Sequence, residues 1–285
     1  MAQKKILKIT LYSVITVIVT LILVLVIRVF FFSAFVVNSM SMMPTIVPGD
    51  KVLVYKMIPG PRIFTNWNFV RGGKFELQRI VGCRPIKRDE IVVFNTPYIE
   101  AWGKLEINYS SYYVKRCLAI PGDSISIVNG FYKVIDNNHK SYINKHQQFA
   151  PINIPEGMDK CFPFDSVLNW NIMHFGPLYI PRKGDILNLN TSNYKLYKHI
   201  IEFESKKLID EQEGKWYLDG EEIQKYIFCK NYYFMGGDNF PNSIDSRYLG
   251  LIPEDFIVGK VLRVLWSKDK NKNAFRWNRL FKKLT

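Results

Sequence analysis

The sequence predicts a mainly β protein carried on one N-terminal membrane-spanning helix, and three observations predict it. Ile9 to Ile27 is a run of 19 residues without a charge. At 1.5 Å per residue such a run crosses a hydrocarbon core about 30 Å thick. Downstream, a turn followed by a short β-branched run recurs. It reads Val47-Pro48-Gly49-Asp50 before Val52-Leu53-Val54, and Arg88-Asp89-Glu90 before Ile91-Val92-Val93-Phe94. It returns as Pro121-Gly122-Asp123 before Ile125-Ser126-Ile127, and as Lys183-Gly184-Asp185 before Ile186-Leu187-Asn188-Leu189. Pro and Gly set the turn, Asp caps backbone donors, and β-branched residues suit a pleated surface. Third, Asn129-Gly130 and Asp219-Gly220 are two-residue hairpin signals, which make the neighbouring strands antiparallel.

The elements follow in chain order. Residues 1–8 form a short tail carrying Lys4, Lys5 and Lys8. Those charges bias the N-terminus to the cytoplasm and place everything after Arg28 outside. Residues 9–31 are the transmembrane helix. Thr10, Ser13, Thr16 and Thr20 can bond back to their own helix and so do not forbid insertion. The apolar run exceeds the usual core of a cleaved signal peptide, and no clear A-x-A site follows, so it reads as a retained anchor. Residues 32–267 hold the β runs. Within them, 59–87 mixes Gly, Pro, Arg and aromatics without period and reads as a long loop. Residues 137–178 show no clean strand. Residues 268–285 read as a basic amphipathic tail, with Trp277, Leu280, Phe281 and Leu284 on one helical face. From Lys260 to Thr285 nine Lys/Arg face one acid, a net +8, which suits a membrane surface.

Composition narrows the function. The 285 residues are 48% hydrophobic and 15% aromatic, which marks a folded chain. Net charge is 39 − 25 = +14, and points to an anionic partner. No zinc-finger spacing or RNA-binding aromatic signature accompanies it, so the partner is the lipid bilayer and not nucleic acid. Cys83, Cys117, Cys161 and Cys229 form no C-x-x-C pair, which excludes a zinc knuckle or thioredoxin motif. An even count in a translocated domain would permit two disulfides in any of three pairings, but a domain of this size folds without staples, so the cysteines are expected to be mostly free. His139, His146, His174 and His199 lack metal-ligand spacing. No cofactor is expected.

The chemistry centres on Ser41 and Lys115. A serine hydroxyl is a poor nucleophile until a base takes its proton, and lysine can do so only when neutral. Lowering a lysine pKa to about 8 means disfavouring the ammonium by about 3.3 kcal/mol, a shift that apolar burial can supply. Lys115 lies between Tyr112-Tyr113-Val114 and Cys117-Leu118-Ala119-Ile120, a dry setting. Arg116 cannot serve, because guanidinium does not lose its proton. Taken alone, Val-Lys-Arg in a strand is also what a solvated edge looks like.

The surrounding blocks choose between these readings. Ser39-Met40-Ser41-Met42-Met43-Pro44-Thr45, Tyr113-Val114-Lys115-Arg116 with Ile120-Pro121-Gly122-Asp123, Gly237-Asp238-Asn239, and Asn242-Ser243-Ile244-Asp245-Ser246-Arg247 stand in this order. Together they resemble the bacterial type I signal peptidases (leader peptidases), from about residue 35 to 128 and again from about 232 to 261. The resemblance implies a coiled antiparallel β-sheet catalytic domain with an inserted, variable second lobe at 130–230. It implies a serine endopeptidase that removes N-terminal signal peptides from exported preproteins, with Ser41 as nucleophile and Lys115 as base. By the same similarity Ser39 helps to hold the oxyanion and Ser243 orients the lysine. Arg116, Asp238, Asn239, Asp245 and Arg247 brace the site. Val36, Val37, Met40, Met42 and Tyr113 line the substrate channel, along an exposed β edge to which a peptide could add as a strand. The location implied is the bacterial inner membrane, single-pass, with the catalytic domain on the periplasmic side. Three positions depart from the family pattern: Met40 replaces a small residue, Phe240-Pro241 follows Gly237-Asp238-Asn239, and Asp89-Glu90 precedes Ile91. An inactive signal-peptide binder has no need of a desolvated lysine. A relative dedicated to one substrate is not separated from a general processor by the sequence.

Overall fold

The fold is taken from a computed structural model, which describes residues 2–64, 77–99, 105–147, 160–269 and 272–284. Ala2–Val26 is α-helical and Ile27–Phe31 continues it as a π turn. The helix therefore takes in residues expected to be a separate tail, because nothing between Ala2 and Lys8 breaks it and Gln, Lys and Leu are good helix formers. Lys8–Phe31 is long and apolar enough to cross a membrane, and none of its central window is buried against protein. A helix apolar all round with no protein cover suits lipid. Ser13, Thr16 and Thr20 each donate to the carbonyl four residues earlier, which removes their hydroxyls as an obstacle to insertion.

The helix runs without a linker into the edge of the main antiparallel sheet. That sheet follows the order Phe32–Val36, Asp50–Tyr55, Ile257–Asp269, Ile91–Ile99, Leu105–Ala119, Tyr232–Gly236, Ile252–Pro253, with Ala274–Phe275 added to Ile257–Asp269. Four strand steps separate Phe32–Val36 from Leu105–Ala119, roughly 19 Å in a flat sheet. Yet the rings of Phe35 and Tyr112 lie 5.0 Å apart. The sheet is therefore rolled. Register shifts between Ile257 and Gly259, Val261 and Arg263, Val264 and Trp266, and at Asn95/Thr96 supply the bending. Inside the roll, Val37, Met42, Ile46, Val52, Val54, Ile91, Val93, Val258, Val261 and Val264 form one apolar cluster.

A second sheet follows the order Phe175–Tyr179, Ser124–Val128, Phe131–Ile135, Ser141–Ile143. Its central hairpin turns at Asn129-Gly130, both at positive φ, as the sequence predicts. Asp219-Gly220 does the same between Leu218 and Glu221. The 130–230 region is not energetically separate. Tyr132, Phe175, Leu196, Ile200 and Phe228 belong to the same buried cluster as Val92, Phe94 and Phe234.

Several expectations need correction. Thr191–Ser205 is a helix that the β pattern concealed. Asn190 caps it through Asn193 N–H, and Leu196, Tyr197, Ile200 and Ile201 form its buried face. The 59–87 loop contains a two-stranded ribbon, Arg62–Phe64 with Leu77–Arg79; the residues between, 65–76, lie outside those described. Arg79 ties it down by donating to the carbonyls of Gly60, Glu254 and Ile257. The stretch 137–178 does hold strands, Ser141–Ile143 and Phe175–Tyr179, while 148–159 lie outside the description.

The largest correction is the tail: 268–285 is not an amphipathic helix. Ala274–Phe275 pairs as a strand, Trp277–Arg279 is a single 3-10 turn, and Phe281 sits at positive φ. Pairing with Ile257–Asp269 outcompetes the helix because it satisfies backbone groups and buries Arg279 at once. Phe275, Trp277, Leu280 and Phe281 nevertheless stay exposed, Trp277 to 76%.

Candidate active site

Ser41 sits in the loop that joins the edge strand to Asp50–Tyr55. The loop's neck is closed by Val37 N–H to Asp50 O and Gly49 N–H to Val37 O, both 2.8 Å. Met42, fully buried, plugs the loop into the apolar cluster beside Ser41, itself buried. Lys115 comes from the Leu105–Ala119 strand, opposite Val92. That strand is at least partly exposed from Glu106 to Val114 and wholly buried from Lys115 to Ala119, where Tyr232–Gly236 pairs on its other side.

Rolling of the sheet brings the two residues together. Lys115 Nζ lies 2.6 Å from Ser41 Oγ, with Lys115 only 3% exposed. Burial lowers the Lys115 pKa to about 8; the fields of Asp245 and Asp238 oppose that, and Arg247 adds to it. An ammonium at this distance donates to the hydroxyl. A neutral amine accepts its proton instead, which is the event that makes a serine nucleophilic. The Tyr113 ring stands 5.3 Å from the amine and helps keep it dry.

The residues expected to brace the site are hydrogen-bonded to one another and to the Ser41 loop. Arg116 Nε and Nη2 donate to the two Asp238 oxygens at 2.8 and 2.7 Å, with both side chains wholly buried. Arg116 Nη1 also donates to Asp89 O. Asp238 Oδ2 accepts from Thr45 Oγ1 at 2.6 Å, which links the pair to the Ser41 loop. Asn239 donates its N–H to Ser41 O and its side-chain amide to Met40 O. Asp245 accepts from Arg247 and from Gly237 N–H. Burial alone would raise the Asp245 carboxyl; Arg247, then Lys115 and Gly237 N–H, outweigh it and hold it below its ordinary value. Gly237 has no room for a side chain. A Cβ there would stand 2.2 Å from Ser243 Oγ and 2.5 Å from Ser41 O.

Two of the predicted helpers are arranged differently. Ser39 Oγ lies 3.1 Å from Ser41 Oγ, so it shares a hydrogen bond with that hydroxyl. Ser243 Oγ is buried and makes no hydrogen bond among the described residues, so the expected bond to Lys115 is not formed; the amine is directed at Ser41. Among the expected channel residues, Val36 and Met40 are exposed and Tyr113 is half-buried. Val37 and Met42, also expected along the channel, are buried in the structure. At 5% and 0% exposure they are core, because the loop needs apolar anchors on either side of Ser41. Sequence reasoning missed the contacts of Arg276 and Arg279 with this loop, having read 268–285 as a basic amphipathic tail. It also read Asp50 only as a turn residue. Among the described residues no group of His, Cys, Asp and Glu could hold a metal ion, and none of the four cysteines forms a disulfide.

A rolled antiparallel sheet that sets a buried serine against a buried lysine is the arrangement to be compared with known serine hydrolases. Comparison with protein families matches residues 10–266 to the signal peptidases, peptidase S26. Signal peptidase I of Buchnera aphidicola subsp. Baizongia pistaciae is 32% identical over 252 residues, covering 85% of this chain and 72% of that protein. Signal peptidase I of Helicobacter pylori strain J99 is 31% identical over 283 residues, covering 92% and 89%. That of Haemophilus influenzae is 25% identical over 272 residues, covering 90% and 71%. The chain belongs to the signal peptidase family, peptidase S26, as a bacterial type I signal peptidase, a serine peptidase that cleaves signal peptides.

Proposed function

We propose that this protein cleaves signal peptides from exported preproteins with Ser41 as nucleophile and Lys115 as general base, while the N-terminal helix anchors it in the membrane. The observation that carries the reading is the 2.6 Å contact between Ser41 Oγ and a lysine amine whose pKa burial lowers to about 8. Neutral Lys115 takes the Ser41 proton as Oγ attacks the scissile carbonyl. The resulting ammonium returns the proton to the leaving amine, and water then resolves the acyl-enzyme with Lys115 again as base. The Ser41 backbone N–H and the Ser39 hydroxyl hold the oxyanion, a service typically worth about 2.7–4 kcal/mol per donor. For Ser39 this requires its hydroxyl to turn from Ser41 Oγ towards the developing charge. Ser243 completes the dyad by turning towards the amine once Ser41 is acylated.

The substrate enters as an added strand. Phe32–Val36 is an edge strand, and Tyr112–Val114 has no second sheet partner among the described residues. The Phe35 and Tyr112 rings, 5.0 Å apart, bring these two edges together. Val36, Met40 and Tyr113 then face the residues before the cut, and small side chains fit best there. The helix spans the inner membrane once with its N-terminus in the cytoplasm, and the catalytic domain lies on the periplasmic side. The exposed aromatic face of the tail rests on lipid.

Purified Ser41→Ala and Lys115→Ala variants test the dyad on several unrelated preproteins. Both should be folded and inactive, because nucleophile and base act as one unit. Normal turnover by either removes the assignment, and cleavage of one preprotein alone would mark a dedicated processor.

A further inference from the structure

The C-terminal tail reaches into the nucleophile loop, and that contact has no part in the scheme above. We propose that Arg279 is a positioning residue for Ser41 and that the tail is a strap fastening the loop. This rests on Ser41 being the nucleophile.

Arg279 Nε and Nη2 donate to the two Asp50 oxygens at 2.9 and 2.5 Å, and Nη2 also donates to Thr45 O at 2.9 Å. Asp50 is wholly buried and Arg279 is 8% exposed. Asp50 in turn accepts from Val47 N–H at 3.0 Å. One residue pair thus holds the downstream limb of the loop at Thr45 and at Val47. Arg276 adds a third point, donating to Pro48 O at 2.8 Å while paired with Asp269.

Thr45 is the joint. Its hydroxyl is held by Asp238, on the side of Arg116, and its carbonyl by Arg279, on the side of the tail. The next residue, Ile46, donates its N–H to Met42 O, so the fixed joint is one turn from the residue that follows Ser41. Loss of the Arg279 contact frees one side of that turn. A displacement of about 1 Å at a nucleophile can lower turnover about a hundredfold.

The strap is itself secured. Arg276 N–H donates to Ser267 O, Val264 N–H to Lys282 O, and Lys268 N–H to Gly49 O. Gly49 has φ +94°, and a Cβ there would stand 1.9 Å from Lys268 O, so loop and strand touch backbone to backbone. Leu284 packs on the apolar cluster that holds Met42.

A structural role alone also predicts some loss when Arg279 is removed, because Asp50 becomes a buried unpaired carboxylate. The test separates the two effects. In the full-length protein in detergent, Arg279→Met, Arg279→Lys and Asp50→Asn/Arg279→Met are assayed on a fluorogenic peptide with an Ala-x-Ala site, beside Ser41→Ala. Arg279→Met should lower kcat about tenfold or more, leave KM within about twofold, and leave the acidic limb of the pH profile near 8, since Lys115 is untouched. Arg279→Lys should fall between it and the wild type, because one ammonium cannot serve Asp50 and Thr45 as a fork does. The double variant should recover melting temperature, with no unpaired charge left, but not kcat, because Thr45 O still lacks its donor. Recovery of kcat together with stability would overturn the proposal, even if Arg279→Met alone failed to fold. So would an unchanged kcat in a folded Arg279→Met protein. Turnover by Ser41→Ala would instead overturn the nucleophile assignment.

Discussion

Lys115 is held by the fold at a cost to the fold, so replacing it should remove activity and add stability. Burial places its pKa at about 8 in the folded chain, against 10.5 for a solvated lysine. Between those values the unfolded chain binds more protons than the folded one, and stability rises with pH wherever that holds. The lysine therefore destabilises below pH 8, and the penalty fades as pH climbs to 10.5. The full penalty is the pKa difference multiplied by 1.36 kcal/mol, about 3 kcal/mol at pH 7; it falls to about 2 kcal/mol at pH 9 and below about 0.5 kcal/mol at pH 10.5. Methionine matches the lysine stem in length and carries no charge. Lys115→Met should then be inactive yet more stable than wild type at pH 7, by up to about 3 kcal/mol. For a domain of this size that is a rise in melting temperature of roughly 6–12 °C. The assay is urea unfolding of both proteins in the same detergent at pH 7, 9 and 10.5, with the difference taken at each pH. A difference that is absent at pH 7, or that does not shrink with rising pH, would refute the idea that burial sets the lysine's protonation.

Other outcomes follow from the same geometry. The wild-type kcat/KM should rise with pH through about 8, because only neutral Lys115 accepts the serine proton, and chelators should leave it unchanged; a limb near 6.5 lost with one histidine would instead mark a histidine base. Gly237→Ala should lower kcat about a hundredfold in a folded protein, since its Cβ would press on Ser243 Oγ and on Ser41 O and push the nucleophile out of place; near-normal kcat would show that the two loops do not meet as described. In vesicles containing brominated lipid, the emission that disappears on Trp277→Phe should be quenched, because Trp277 is exposed among Phe275, Leu280 and Phe281; an unquenched signal would take the tail off the bilayer.

What was readable in the sequence was whatever local chemistry determines. The anchor helix, the Asn129-Gly130 hairpin and the turn-strand pairs at Asp50, Ile91 and Ile125 are set by residues within a few positions of one another. Ser41 and Lys115 stood out as candidates because their flanking blocks are distinctive. The contact between them was not legible, because it depends on how far the sheet rolls, and no single strand encodes that. The helix Thr191–Ser205 was hidden by its aromatic and β-branched content, although Asn190 and the Leu196/Ile200 spacing marked it. The tail failed for a different reason. Its helical period is real, but pairing with Ile257–Asp269 and the buried Asp50 carboxylate decide its conformation, and both lie far away in sequence. The burial of Val37 and Met42 was not legible, because anchoring the loop and lining a channel call for the same apolar residues.

The junction between helix and sheet has a mechanical consequence. Lys56 N–H donates to Phe31 O, and the Lys56 ammonium caps the carbonyls of Arg28 and Val29 at 2.7 and 3.1 Å. The last turn of the helix is thereby bolted to the strand beside the one it feeds, and no free residue lies between. Rotation of the helix about its axis must turn the whole sheet with it, and so sets the direction in which the Ser41 cleft opens. Helix tilt and cleft bearing become a single coordinate, and a residue inserted at the joint would change the compass heading of the site without touching any group within it.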